Sequence, residues 1–246
     1  MHIDKTVKKT EFLAQFPSVC DTCSARLHGV CGALSSPELA AFGKYTYLKA
    51  VKKGDIISFD ADDVTEYANI VSGTAKLSKI MEDGRQQILG LQFAPEFMGR
   101  PYSGTAHITI EAATDMELCV FPKSAFEMMT NQAPSFEHRL LQQTLVQLDT
   151  AREWMVTLGR KTATEKVATF LLLLAKNMKI DLSTKDNTAR FEIPITRNDI
   201  ADFLGLTIET VSRQITKLRK ARIIVVENHS HIFVPDIRRL ESCCEN

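Results

Sequence analysis

The chain has 246 residues, and 30 Lys and Arg balance 30 Asp and Glu, so the formal net charge is zero. Its ordinary composition, 44% hydrophobic, is that of a soluble globular protein with length enough for two modest domains, each with a core. No apolar run approaches the roughly 20 residues of a membrane span, the charged start MHIDKTVKKTEF excludes a secretory signal, and a cytoplasmic protein is expected.

Residues 1–35 read as irregular and carry Cys20, Cys23 and Cys31 within FPSVCDTCSARLHGVCGALS (16–35). Stable disulfides are not expected in a reducing compartment, where clustered cysteines bind metal or do redox chemistry. The local spacing alone leaves a four-cysteine zinc site open. His28, inside this stretch, reads as a surface residue, and the adjacent Cys243 and Cys244 as incidental thiols. In SSPELAAFGKYT (35–46), Ser36 is the expected N-cap of a short helix with Pro37 at its first position.

From about 47 to 122 the pattern is short, β-branched and often alternating, in DIISF, YANIVSG, TAKLSKI, QQILGLQF, HITIEAA and MELCVF. Asp83-Gly84 between two of these runs predicts a hairpin. Such strands predict an antiparallel sandwich or barrel-like roll. Within MELCVF, Met116, Leu118 and Val120 should point one way and Glu117, Cys119 and Phe121 the other. Glu117 implies that the Cys119 face is not wholly buried.

A helical period follows. Leu141, Leu145, Leu148, Met155 and Leu158 recur at 4-3-7-3 spacing in a stretch without Gly or Pro up to Leu158, close to a heptad seam. Such a stripe serves either its own domain's core or a dimer; between two domains it is read as a dimer seam. TATEKVATFLLLLAKNM (162–178) predicts an amphipathic helix, STKDNTA (183–189) a polar loop and RFEIPI a strand.

The charge is unevenly placed. Residues 1–159 carry 15 basic against 19 acidic residues and residues 160–246 carry 15 against 11, which suggests a polyanion partner for the second part. Within ITRNDIADFLGLTIETVSRQITKLRKARIIVVENHSHIFV (195–234), Thr196 is a good N-cap with Asp199 three residues on, Gly205 ends that helix, and Thr207 caps a second one reaching about Lys220. Two short helices joined through a Gly turn form a helix-turn-helix. Val211, Ile215 and Leu218 should face the domain, which leaves Glu209, Ser212, Arg213 and Thr216 outward. Arg213 can pair with guanine, Glu209 with a cytosine amine, and Ser212 with a base edge or phosphate. Lys217, Arg219, Lys220 and Arg222 suit phosphates, and RIIVVENHSHIFV reads as a wing. No nucleophile–base motif and no phosphate-cradling Gly loop appears, so no enzyme is expected.

Over nearly its whole length the chain resembles the CRP/FNR superfamily of bacterial transcription regulators. GLTIETVSRQITKLRKARII is similar to the family's helix-turn-helix, and KKGDIISF, DGRQQILGLQF and APEFMG are similar to its β-roll phrases. The resemblance implies an α+β fold: an N-terminal antiparallel β-roll of the cyclic-nucleotide-binding kind, a long dimerisation helix and a C-terminal winged helix-turn-helix. The expected division is a cysteine-rich segment at 1–34, a sensor roll at 35–134, the dimer helix at 135–160 and the DNA-binding domain at 161–246. Glu209, Ser212 and Arg213 stand in the Glu-x-x-Ser-Arg arrangement of the FNR branch, which implies a pseudo-palindromic DNA site with half-sites like TTGAT.

Cyclic-nucleotide members of the family use a roll Glu and a downstream Arg-Ser or Arg-Thr. Here Arg100 and Ala106-His107 stand at those places, so a phosphate would lack its usual clamp and cyclic nucleotide is not an expected ligand. The FNR branch instead holds a [4Fe–4S] cluster with three amino-terminal cysteines and one from the roll. The resemblance therefore implies Cys20, Cys23, Cys31 and Cys119 as ligands, although the seven residues between Cys23 and Cys31 exceed the usual spacing. It also implies a homodimer on double-stranded DNA, oxygen response, and contact with RNA polymerase. Ala151 stands where FNR-type proteins can use an acidic residue to separate the cluster-free dimer, so a cluster-free dimer here would need another switch. The alternatives are a cytosolic iron–sulfur redox protein, which leaves the helix-turn-helix unexplained, and a metal- or thiol-responsive regulator of the same family.

Overall fold

The computed structural model describes residues 20, 23, 26, 28–178, 187–228 and 230–245. Two compact units result: Met1–Leu77 with Leu91–Gln147, and Ser78–Gly90 with Leu148–Asn246.

The roll consists of β1 (Tyr47–Val51), β2 (Ile56–Ser58), β3 (Glu66–Ser72), β4 (Thr74–Ile80), β5 (Gln86–Phe93), β6 (Phe97–Met98), β7 (Thr109–Ala112) and β8 (Met116–Pro122). They form two four-stranded sheets, ordered β1-β8-β3-β6 and β2-β7-β4-β5. The β4–β5 turn is the one expected at Asp83-Gly84: Met81 N–H donates to Arg85 O at 2.8 Å, and Gly84 takes φ 83°, which costs a residue without Cβ little.

Strand β8 pairs with β1 on one side and β3 on the other. Its alternation is the expected one. Met116, Leu118 and Val120 pack with Ala68, Ile70 and Val51 in the space between the sheets. Phe121 faces the opposite way, into an aromatic cluster with Phe42, Tyr67, Phe97, Phe126 and Phe136. Ring centroids there lie 5.0 Å apart for Phe42–Phe121 and 4.9 Å for Tyr67–Phe126, in reach of favourable tilted and edge contacts. Helices α1 (Ser36–Gly43), α2 (Lys123–Gln132) and the start of α3 (Pro134–Arg160) cover that second face. The α1 cap lies one residue earlier than expected: Ser35, not Ser36, pairs with Glu38, whose Oε2 accepts from Ser35 N–H at 2.8 Å and Ser35 Oγ–H at 2.6 Å. Only Ser35 stands three residues before the carboxylate, as a capping box requires.

The second unit contains α4 (Ala163–Asn177), β9 (Ala189–Glu192), α5 (Arg197–Leu204), α6 (Ile208–Lys220), β10 (Val225–Val226), β11 (His231–Val234) and α7 (Ile237–Glu241). Its antiparallel sheet runs β10-β11-β9, so β10 and β11 form the wing hairpin. Residues 183–186 of the expected polar loop lie outside the described residues. The architecture is the α+β arrangement expected. No helix among the described residues is long and apolar enough to cross a membrane.

Candidate cysteine site and nucleic-acid interface

Cys20, Arg26 and His28 have helical backbone, and Cys31 lies in the 3-10 turn Val30–Ala33. Val30 and Leu34 are buried in the aromatic cluster and carry Cys31 in with them, while Cys20 packs at its edge. Apolar anchoring, rather than a flexible loop, places the third cysteine.

Cys119 reaches the same place from the sheet. It pairs in register with Leu48 on β1 and with Asn69 on β3, and Asn69 pairs with Phe97 on β6. Directly opposed residues in antiparallel strands project to one face. Cys119 and Asn69 therefore lie side by side on the aromatic-cluster face, and Asn69 Nδ2 donates to Cys31 Sγ at 3.3 Å. Burial, followed by Cys119, Cys23 and Cys20, pushes the Cys31 thiol far above its usual range, and only the Asn69 bond pulls it down. Burial, then Cys20 and Cys23, raises Cys119 to about 12 against a lowering hydrogen bond with Thr46. The four sulfurs thus stand within electrostatic reach of one another, in surroundings where four thiolates need positive charge to offset them.

Among the described residues, no three His, Cys, Asp or Glu side chains are gathered as ligands of one ion. A [4Fe–4S] cluster takes one thiolate per iron, so its ligands stand wider apart than those around a single metal. In donor type and number the four cysteines fit such a cluster. Cys243 and Cys244 belong to the second unit, where their thiols donate to the carbonyls of Arg239 and Leu240, each at 3.3 Å.

His28, between Cys23 and Cys31, is tied to α3. The carbonyl of exposed His28 accepts from Arg139 Nη2 at 3.0 Å and from Gln143 Nε2 at 3.3 Å. Ser135 Oγ donates to Ala33 O at 3.0 Å. Composition could not have singled out Arg139 and Gln143, because their partner is a main-chain oxygen. Asn69 had a signal: a lone amide in the otherwise apolar run YANIV.

Along α3, Leu141 (55% exposed), Leu145, Leu148 and Met155 (73%) are open to solvent, and at about 100° per residue they fall on one side. Ala151 is also exposed. Leu158 departs from the expected seam: it is half-buried, displaced toward the face on which Trp154 packs against Phe203 with centroids 4.5 Å apart. Arg152, between Leu148 and Met155 on the exposed side, pairs with Asp149 at 3.1 Å.

The helix-turn-helix is locally built as expected. Thr196 Oγ1 accepts from Asp199 N–H at 3.1 Å, Thr207 Oγ1 from Thr210 N–H at 3.2 Å, and Gly205 closes α5 at φ 61°. Val211, Ile215 and Leu218 are buried. Glu209, Ser212, Arg213 and Lys217 are exposed, and Thr216 is half-buried. Lys217 Nζ donates to Thr164 Oγ1 at 3.2 Å, and that hydroxyl donates to buried Gln214 Oε1 at 2.9 Å, which fixes α6 to the start of α4.

The roll also carries a partly open cavity of about 420 Å³. Arg100, Ala106 and His107 line it, as do Asp62, Asp63 and Glu66. A phosphate there would meet carboxylates as well as Arg100.

The model of the Crp-like helix-turn-helix domain matches residues 165–243, and that of the cyclic nucleotide-binding domain matches 48–133. The chain is 46% identical, over 96% of its length and 97% of the relative's, to a probable transcriptional activator of Rhizobium leguminosarum bv. viciae. It is 39% identical to the transcriptional activator protein FnrL of Cereibacter sphaeroides over 90% of each chain. The structure of FixK2 from Bradyrhizobium japonicum superposes with a TM-score of 0.74 at 26% identity, covering 82% of this chain and 98% of that one. On matched domains and near-full-length relatives alike, the chain belongs to the CRP/FNR family of transcription regulators.

Proposed function

We propose that this regulator is a homodimeric, oxygen-responsive activator whose four cysteines, Cys20, Cys23, Cys31 and Cys119, hold a [4Fe–4S] cluster. The observation that supports this reading is that Cys20, Cys31 and Cys119 lie at one face of the roll, where the His28 carbonyl of the cysteine segment is bonded to the exposed-stripe helix α3. When bound, the cluster would supply the reaction with dioxygen. The chain does the rest. The aromatic cluster fixes Cys31, and pairing with β1 and β3 fixes Cys119. Arg139 and Gln143 hold the cysteine segment against α3, and Leu141, Leu145, Leu148 and Met155 offer an apolar seam to a second copy. In that dimer two α6 helices would read half-sites about one DNA turn apart. Arg213, Glu209 and Ser212 would face the bases, with Thr216 beside them and Lys217 toward a phosphate. Activation follows the relatives' names and implies contact with RNA polymerase. The mixed charge around Arg100 and His107 argues against a cyclic nucleotide as the signal.

The test is anaerobic purification with iron and sulfide assayed on the sample used for DNA binding. About four of each per chain, and a sequence-specific shift lost in air, are expected. A colourless protein containing zinc, or one whose DNA binding ignores air, would overturn the proposal.

A further inference from the structure

Asn69 has no obvious reason to be an amide. It is fully buried in the central part of β3, and its neighbours on either side, Ala68 and Ile70, belong to the apolar core. Its Nδ2 donates to Cys31 Sγ at 3.3 Å, and its Cα is in register with that of Cys119. Its other polar atom, Oδ1, is buried with no hydrogen-bond partner among the described residues. An unmatched acceptor is a cost to the fold, and a leucine of nearly the same shape would remove it. The one thing the amide offers that leucine cannot is an N–H aimed at a sulfur.

We infer that Asn69 is a positioning residue for the iron–sulfur site: it donates to the Cys31 sulfur and thereby slows oxidative loss of the cluster. The inference rests on the cluster reading above. An N–H directed at a ligating sulfur draws electron density from it, and such bonds help set a cluster's reduction potential. They also orient the ligand, and removing partners of this kind typically costs about 10- to 100-fold in metal affinity or activity. A bound cluster would react with dioxygen by giving up one electron, with superoxide as the reduced product, and this is the step the bond would slow. Without the donor the potential falls and that electron is lost more easily. Because the Asn69 backbone is in register with that of Cys119 on β8, the same bond ties Cys31 of the amino-terminal segment to the strand pair that carries Cys119.

The test compares wild type with Asn69→Leu, and with Asn69→Ser should the leucine variant not accumulate. Four measurements are made on each: iron and sulfide per chain under anaerobic conditions, bleaching rate in air, midpoint potential, and thermal unfolding of the cluster-free protein. The expected result is normal iron, bleaching faster by about 10-fold, a more negative potential, and a cluster-free Tm for Asn69→Leu equal to or above wild type. Unchanged bleaching and potential would sink the inference and leave the four-cysteine reading intact. Iron loss accompanied by a lowered cluster-free Tm would also sink it, by showing that Asn69 only holds the fold. Wild type without iron and sulfide would remove the cluster reading itself, and this inference with it.

Discussion

The helix-turn-helix and the cysteine site use the chain in opposite ways. The signals that start, stop and orient α5 and α6 lie within about forty residues: the Thr196 and Thr207 caps, the left-handed Gly205, and a buried stripe of Val211, Ile215 and Leu218. The cysteine site draws on an amino-terminal turn, three strands and a long helix, joined by contacts such as Asn69–Cys31 and Arg139–His28 that span 38 and 111 residues. A locally built element keeps its shape when its surroundings change. A site assembled over such distances holds only while every part is in place, a fragility that would suit the cluster loss on exposure to oxygen proposed above.

The largest expected effect breaks the assembled site and spares the local one. Cys119→Ala removes the ligand proposed on β8, so iron should fall to background and anaerobic DNA affinity should drop to that of air-exposed protein. The helical circular dichroism and the unfolding of the second unit should stay as in wild type. Iron retained at full stoichiometry would show that Cys119 is not a ligand.

Phe126→Ala tests the packing beneath the cysteines. Phe126 is buried against Tyr67, Phe97, Phe121 and Phe136. Its loss should cost about 3–5 kcal/mol in the first unit, seen as an earlier thermal transition and slower iron uptake. If iron uptake is unchanged despite the lowered transition, the aromatic cluster does not hold the site.

Arg213→Ala approaches the comparison from the other side. A lost bidentate base contact should weaken specific DNA binding by about 1–3 kcal/mol and relax preference at one position, with iron content untouched. Lys217→Ala should instead weaken all sequences alike and lower the salt slope by about one. If Lys217→Ala changed base preference, the face assignment of α6 would be wrong.

The same contrast explains what could be read from the sequence. Caps, glycine turns and apolar period act over three to seven residues, so α5, α6 and the Asp83-Gly84 hairpin were legible, and the α1 cap was missed by one residue only. Alternation along MELCVF gave the Cys119 face correctly, because period two is fixed by strand geometry. Which elements would cover that face was not legible. Neither was the His28 carbonyl as a double acceptor, since any residue could supply it. Leu158 fitted a heptad, but Trp154 and Phe203 pull its side of α3 inward. Arg152, a charge within the stripe, was overlooked because the period was followed through the apolar residues alone.

The smallest effect falls on the link between the cysteine segment and the dimer helix. Arg139 and Gln143 donate to one carbonyl from adjacent turns of α3, so either alone should keep the segment near the helix. Arg139→Ala is expected to cost about 1 kcal/mol, the middle of the range for an ordinary hydrogen bond, because solvent weakens the charged donor's advantage, and thus roughly fivefold in the DNA affinity of the iron-loaded protein. Gln143→Ala should cost less, because its donor is neutral and its bond longer. Neither should change iron content at equilibrium, because neither touches a sulfur. The double variant decides whether the two act through the shared oxygen: a loss greater than the sum of the singles means each had been compensating for the other. A strictly additive loss would mean that the residues act on DNA affinity by separate routes, and the His28 carbonyl would then not be the joint between cysteine segment and helix.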